Sequence, residues 1–114
     1  MKESRIEKWW LCSIARSETR YVWGIVIFDE RFDRGHWVRS SKIVSLDEEK
    51  MFARTARTEY TLIGPGKRRS LPNDGQLFKF LNSGFNPDES IALLNYQRRK
   101  QNENVAGSKG GMES

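Results

Sequence analysis

Cysteine and histidine are almost absent from this chain: Cys12 and His36 are the single examples of each. One cysteine excludes an internal disulfide and every cysteine-cluster zinc site, and one histidine cannot complete a metal centre of the usual ligand count. The same scarcity leaves one unaccompanied candidate for any His-based triad, and no nucleophile elbow stands near it. Long apolar runs are missing too. No stretch approaches the roughly 20 residues of a membrane-spanning helix. Nor does the opening Met1-Lys2-Glu3-Ser4-Arg5-Ile6-Glu7 resemble the apolar core of a signal peptide. The expectation is a protein that is not an enzyme, needs no cofactor or metal, and works in the cytoplasm without touching a membrane. A lone thiol suits that reducing compartment, and 114 residues suffice for one domain.

What the chain does have is basic charge, unevenly placed. Lys and Arg number 20 against 15 Asp and Glu, a net charge of +5. Residues 1–70 hold 15 basic and 10 acidic side chains, whereas residues 71–114 hold five of each. The surplus therefore lies in the first two thirds, where an anionic partner would be met. A balance of this size also serves plain solubility.

Hydrophobic patterning predicts strands first and helices last. Lys8 to Arg16 reads as a strand that breaks at Ser17-Glu18-Thr19, and Arg20 to Phe28 follows as the strongest β segment. That segment is apolar at both parities, so it should be covered on both faces, and Gly24 within it marks a bulge or bend. Asp29 to Gly35 is a charged loop, His36 to Leu46 a further strand, and Met51–Arg57 and Glu59–Gly64 two more. Five short strands joined by brief connections predict an antiparallel meander over 8–64, curled into a small SH3-like or OB-like barrel. The core should include Trp23, Ile25, Ile27, Val38, Val44, Leu62, Phe78, Leu81 and Leu94.

Helix is expected only after Pro72, as a hairpin over 73–100. Asn73 or Asp74 caps a first helix carrying Leu77, Phe78, Phe80 and Leu81, with Gly84 beyond its end. Asn86-Pro87-Asp88-Glu89 supplies an N-cap, proline at the first helical position and a capping-box acid. The second helix ends at Arg98-Arg99-Lys100, and 101–114 reads as a disordered tail. The fold class is thus α+β, with a single domain over 1–100.

Few residues invite chemistry. Cys12 lies in Trp9-Trp10-Leu11-Cys12-Ser13-Ile14 and reads as a buried small hydrophobe. His36 reads as a loop-edge imidazole. Gly64-Pro65-Gly66-Lys67-Arg68-Arg69-Ser70 fails the phosphate-loop spacing, and Leu71-Pro72 stands before any helix. It remains an exposed basic loop able to meet backbone phosphates. With Arg54 and Arg57, its Lys67, Arg68 and Arg69 are the main expected contacts to an anionic partner. Arg16, Arg20 and Arg39 extend that surface, with Trp10 and Trp37 as aromatic anchors beside Tyr21 and Tyr60. Bases stack on rings while guanidinium groups meet phosphates, which suits single-stranded nucleic acid. Trp, Tyr and Arg serve protein interfaces equally. The last helix, with Ile91 and Leu94 on one side, should dock on the sheet or form a homodimer.

Gly35-His36-Trp37-Val38-Arg39-Ser40-Ser41-Lys42-Ile43-Val44 and Thr58-Glu59-Tyr60-Thr61-Leu62-Ile63-Gly64 resemble small uncharacterised proteins of bacterial prophages and mobile elements. That resemblance implies short cytoplasmic accessory proteins, many of which bind and inhibit a host factor. Two readings follow: a binding module whose basic face contacts nucleic acid, or a protein that inhibits or adapts a host protein such as a nucleic-acid enzyme or defence factor.

Overall fold

Strand β1 (Lys2–Ile14) is the axis of a sheet of seven strands in a computed structural model that describes the backbone of residues 1–113 and the side chains of residues 1–102. The others are β2 (Arg20–Asp29), β3 (Trp37–Arg39), β4 (Ile43–Asp47), β5 (Phe52–Thr55), β6 (Thr58–Leu62) and β7 (Lys67–Leu71). Two helices follow, α1 (Gly75–Leu81) and α2 (Pro87–Glu113). The sheet order is β3-β2-β1-β6-β5-β4, with β7 also on β1. Helix is thus confined to the region after Pro72, as the sequence predicts. Helix α2 runs past the expected end at Lys100 to Glu113, and of the tail expected over 101–114 the side chains beyond Asn102 lie outside the described residues.

Three expectations about the sheet are corrected. It has seven strands instead of five, because His36–Leu46 divides in two and Lys67–Leu71 is a strand instead of a loop; β1 also begins earlier, at Lys2. The stretch His36–Leu46 is two strands, β3 on β2 and β4 on β5, with Ser40-Ser41-Lys42 crossing between the two ends of the sheet. Finally, the sheet is mixed. β6 runs parallel to β1 from Lys2↔Thr58 to Ile6↔Leu62, and β7 runs parallel to it from Trp10↔Lys67 to Ile14↔Leu71. The whole meander is the crossover between β1 and β6, so short local connections were no bar to parallel pairing. The result is a curled, unclosed sheet and not a complete barrel.

Both faces are buried, and β1 serves both. Ile6, Trp9, Leu11, Val22, Val26, Val38, Tyr60 and Leu62 belong to the core inside the curl. Trp10, Cys12, Ile14 and Trp23 pack outside it against Leu71, Leu77, Leu81 and Leu94. An unbroken strand cannot present Ile6 and Trp9 to the same side, since side chains alternate with a period of two. The register slips between Glu7 and Trp10, where Lys8 takes a φ of 48°. This bulge adds a residue to β1 and inverts its phase. Gly24 lies across from it, where a Cβ would press on Ile6. The bend foreseen at Gly24 is therefore real, but the extra residue is on the opposite strand.

Of the expected core, Trp23, Val38, Leu62, Leu81 and Leu94 are buried, while Ile25, Ile27 and Phe78 are half-buried. Val44 is 62% exposed, because β4 is an edge strand and Ile43 is the residue that turns inward. The second helix starts as its sequence dictates: Asn86 Oδ1 accepts from Glu89 N at 2.8 Å and Glu89 Oε1 accepts from Asn86 N at 2.9 Å, a closed capping box. Asp74 caps α1, accepting from Gln76 N. Gly84 follows α1 at φ 99° and lies against the Trp37 indole, where a side chain would collide.

Candidate functional site

A cleft of about 670 Å³ opens where the loop after β2, strand β3, the β5–β6 turn and the end of α1 meet. Arg31, Arg39 and Arg57 line it together with Phe32, His36, Trp37, Tyr60 and Asn82, and no carboxylate is among its lining residues. Each arginine is placed by a different device. Asp29, its side chain fully buried, clamps Arg31: Oδ1 accepts from the backbone N at 2.7 Å and Nε at 3.1 Å, and Oδ2 from Nη2 at 3.0 Å. Burial would raise the Asp29 carboxyl, but the hydrogen bonds and charge of Arg31 outweigh it and hold the group below its usual value. Asp29 and the Tyr60 hydroxyl in turn make Arg31 harder to deprotonate.

Arg39 lies over the Tyr21 ring at 5.1 Å and donates Nε to Asn82 Oδ1 at 2.7 Å. Arg57 stands at the β5–β6 turn, which Thr55 Oγ1 fixes by accepting from Thr58 N at 3.2 Å and donating to Thr58 O at 3.3 Å. Arg57 makes no ion pair among the described residues. The aromatic wall is layered. Phe32 stacks on His36 at 5.1 Å and 17°, and His36 on Trp37 at 5.7 Å and 25°. His36 Nδ1 is hydrogen-bonded to Trp37 O. With the charge of Arg31 offset by Asp29, Arg39 and Arg57 give the cleft its net positive field beside flat aromatic faces.

The basic residues singled out in the sequence do not form one patch. Arg57, Arg39 and Trp37 meet in the cleft. Arg54 pairs with Glu59 at 2.7 Å and lies over Phe52, Arg68 pairs with Glu48, and Arg69 pairs with Asp88 at 3.3 Å. Arg16 and Arg20 lie at the β1–β2 turn, Arg16 with a φ of 61°. Lys67 lies over the Trp10 ring at 4.8 Å and lines a second cleft of about 390 Å³ with Lys8, Trp9, Pro65, Gly66 and Asn86. Trp10 itself is only 7% exposed, so its anchor role is limited to that cleft.

Sequence reasoning missed Arg31, Phe32 and Asn82, and it set His36 aside. A usable signal was the Asp29-Glu30-Arg31 spacing at a strand end, since an Asp there readily accepts from the backbone N two residues on. Cys12 is buried, and that burial pushes its thiol up to about 12 against the opposing charge of Arg39, as an inert core residue requires. Among the described residues no group of His, Cys, Asp and Glu could hold a metal ion, and no helix is long and apolar enough to cross a membrane.

Residues 25–75 match a family described as a domain of unknown function, DUF6957. The span is a little under half of the chain and includes every lining residue of the arginine cleft named above except Asn82. It also contains both stretches that resemble prophage proteins, and nothing in the match indicates such an origin. No curated protein and no solved structure matches the chain.

Proposed function

We propose that this protein is a non-enzymatic binding module whose arginine cleft takes single-stranded nucleic acid. One observation carries the reading: Arg39 and Arg57 converge, without a lining carboxylate, beside the Phe32–His36–Trp37 stack. Guanidinium groups supply phosphate contacts, and exposed ring faces accept bases without demanding a sequence. Cytoplasmic residence belongs to the same reading. So does the choice of Arg57 as the residue to test, since nothing among the described residues neutralises it.

Fluorescence anisotropy with a labelled single-stranded oligonucleotide tests this. Binding should weaken log-linearly with salt, and Arg57→Gln should flatten the slope by about 0.7, the share of one phosphate contact on a single strand. Equal affinity and equal slope for Arg57→Gln would refute the cleft. Capture of a lysate partner that survives nuclease treatment would favour the other reading, a phage or mobile-element protein that inhibits or adapts a host protein.

A further inference from the structure

The two clefts stand at opposite ends of one row of side chains. Lys67 on β7 is paired with Trp10 on β1, Trp10 with Trp23 on β2, and Trp23 with Arg39 on β3. Three inter-strand steps separate Lys67 from Arg39, about 14 Å at the usual spacing. The row lies on the outer, helix-bearing face, where Trp10 and Trp23 pack in the same core. The α1–α2 connection follows the same direction. Asn82, at its start, lines the arginine cleft and holds Arg39; Asn86, at its end, lines the lysine cleft. Gly84 between them rests on Trp37.

The second cleft repeats the chemistry of the first. Lys8 and Lys67 are exposed cations, Trp9 and Trp10 are its aromatic walls, and no carboxylate lines it. Neither lysine has an ion pair among the described residues. The chain builds the place deliberately in physical terms: the Lys8 bulge opens β1 where β6 ends and before β7 begins, and Gly66 lies flat on the Trp9 ring. A positive site at each end of a 14 Å row, about the span of the pairing geometry, fits a flexible polyanion better than a compact ligand.

Resting on the nucleic-acid reading of the arginine cleft, we infer that the lysine cleft is a second contact for the same strand. A bound strand then runs along the α1–α2 connection from Arg39 and Arg57 to Lys67 and Lys8. Short oligonucleotides reach one cleft; longer ones reach both and gain the second as an intramolecular contact.

The test compares labelled oligothymidylates of about 4 and about 12 nucleotides, lengths that bracket common single-strand sites. The full chain is used as wild type, as Lys8→Gln/Lys67→Gln and as Arg57→Gln, each checked for folding by circular dichroism. The wild type should bind the longer strand about tenfold more tightly, and the lysine variant should bind both lengths alike, with its short-strand affinity unchanged within about twofold. The lysine variant should also lose about 1.4 from the salt slope on the longer strand only, two contacts at single-strand density. Retained length dependence in the lysine variant overturns the two-cleft path while leaving the arginine cleft standing. Loss of neither length's affinity in Arg57→Gln, or no binding at all, overturns both.

Discussion

Replacing Gly66 by alanine should destabilise the protein far more than one methyl group suggests. A Cβ at this position would lie against Cδ2, Cε2 and Cε3 of Trp9, well inside the 3.0 Å that real Cβ atoms keep from their neighbours. Trp9 cannot tilt freely, because it is 5% exposed inside the curl and its Nε1 donates to Gly64 O at 3.0 Å. Overpacking of this kind costs about 1–3 kcal/mol. Loss of the indole hydrogen bond adds about 1 kcal/mol, so the sum is about 2–4 kcal/mol. Gly64→Ala is the matched control: its φ is 72° with nothing within 4 Å, so it should cost only about 1 kcal/mol of backbone conformation. Urea unfolding followed by tryptophan fluorescence reads both, and the Gly66 variant should lose roughly 1–2 M in midpoint at unchanged slope. In a Trp9→Leu background the extra penalty at Gly66 should largely vanish, since the ring that resists the methyl group is gone. If Gly66→Ala proves as mild as Gly64→Ala, Trp9 and Gly66 are not in the contact described.

Acid should remove the contribution of Asp29. Its folded carboxyl lies below the ordinary 3.8, so its stabilisation is present above that value and is lost as pH falls through the lower folded one. Asp29→Asn should therefore lower stability at neutral pH and flatten the acid limb below about pH 4, as urea midpoints measured from pH 2 to 7 would show. An unchanged acid limb would mean that Asp29 is no longer clamping Arg31 in solution. Cys12 should resist thiol reagents in the native protein at pH 8 and react at once in denaturant, because its burial disfavours the thiolate. Rapid native labelling would place it outside the core.

Local chemistry was legible in the sequence, and long-range pairing was not. Asn86-Pro87-Asp88-Glu89 specifies its own helix start within four residues, and the structure closes that capping box. Trp23, Leu62, Leu81 and Leu94 are buried as their patterns require. By contrast, Lys67-Arg68-Arg69 has no strand-like composition. It becomes β7 because β1 offers it a free edge, a fact no local propensity contains. Val44 misled because β-branched side chains suit either face of an edge strand, and the bulge between Ile43 and Ser45 decides which faces out. The basic residues were visible but their neutralisation was not: Glu48 and Asp88 stand far along the chain from Arg68 and Arg69. The cleft itself depends on β3 being carried to one end of the sheet and the β5–β6 turn being brought back to meet it.

The bulge at Lys8 makes the length of β1 as restrictive as its composition. Substitutions along this strand act one site at a time, each through the volume or polarity of a single side chain. Loss of Lys8 would close the bulge and leave Ile6, Trp9 and Leu11 on one face of a regular strand. Gain of a further residue between Glu7 and Trp10 acts on every position beyond it: Trp9 and Leu11 would exchange compartments with Trp10 and Cys12, and the helices would face side chains shaped for the interior of the curl. Variation in this segment among working descendants should therefore run through replacement or loss of the bulge residue, with insertions relegated to the turn at Ser17–Thr19, where one residue more shifts no side chain from one core to the other.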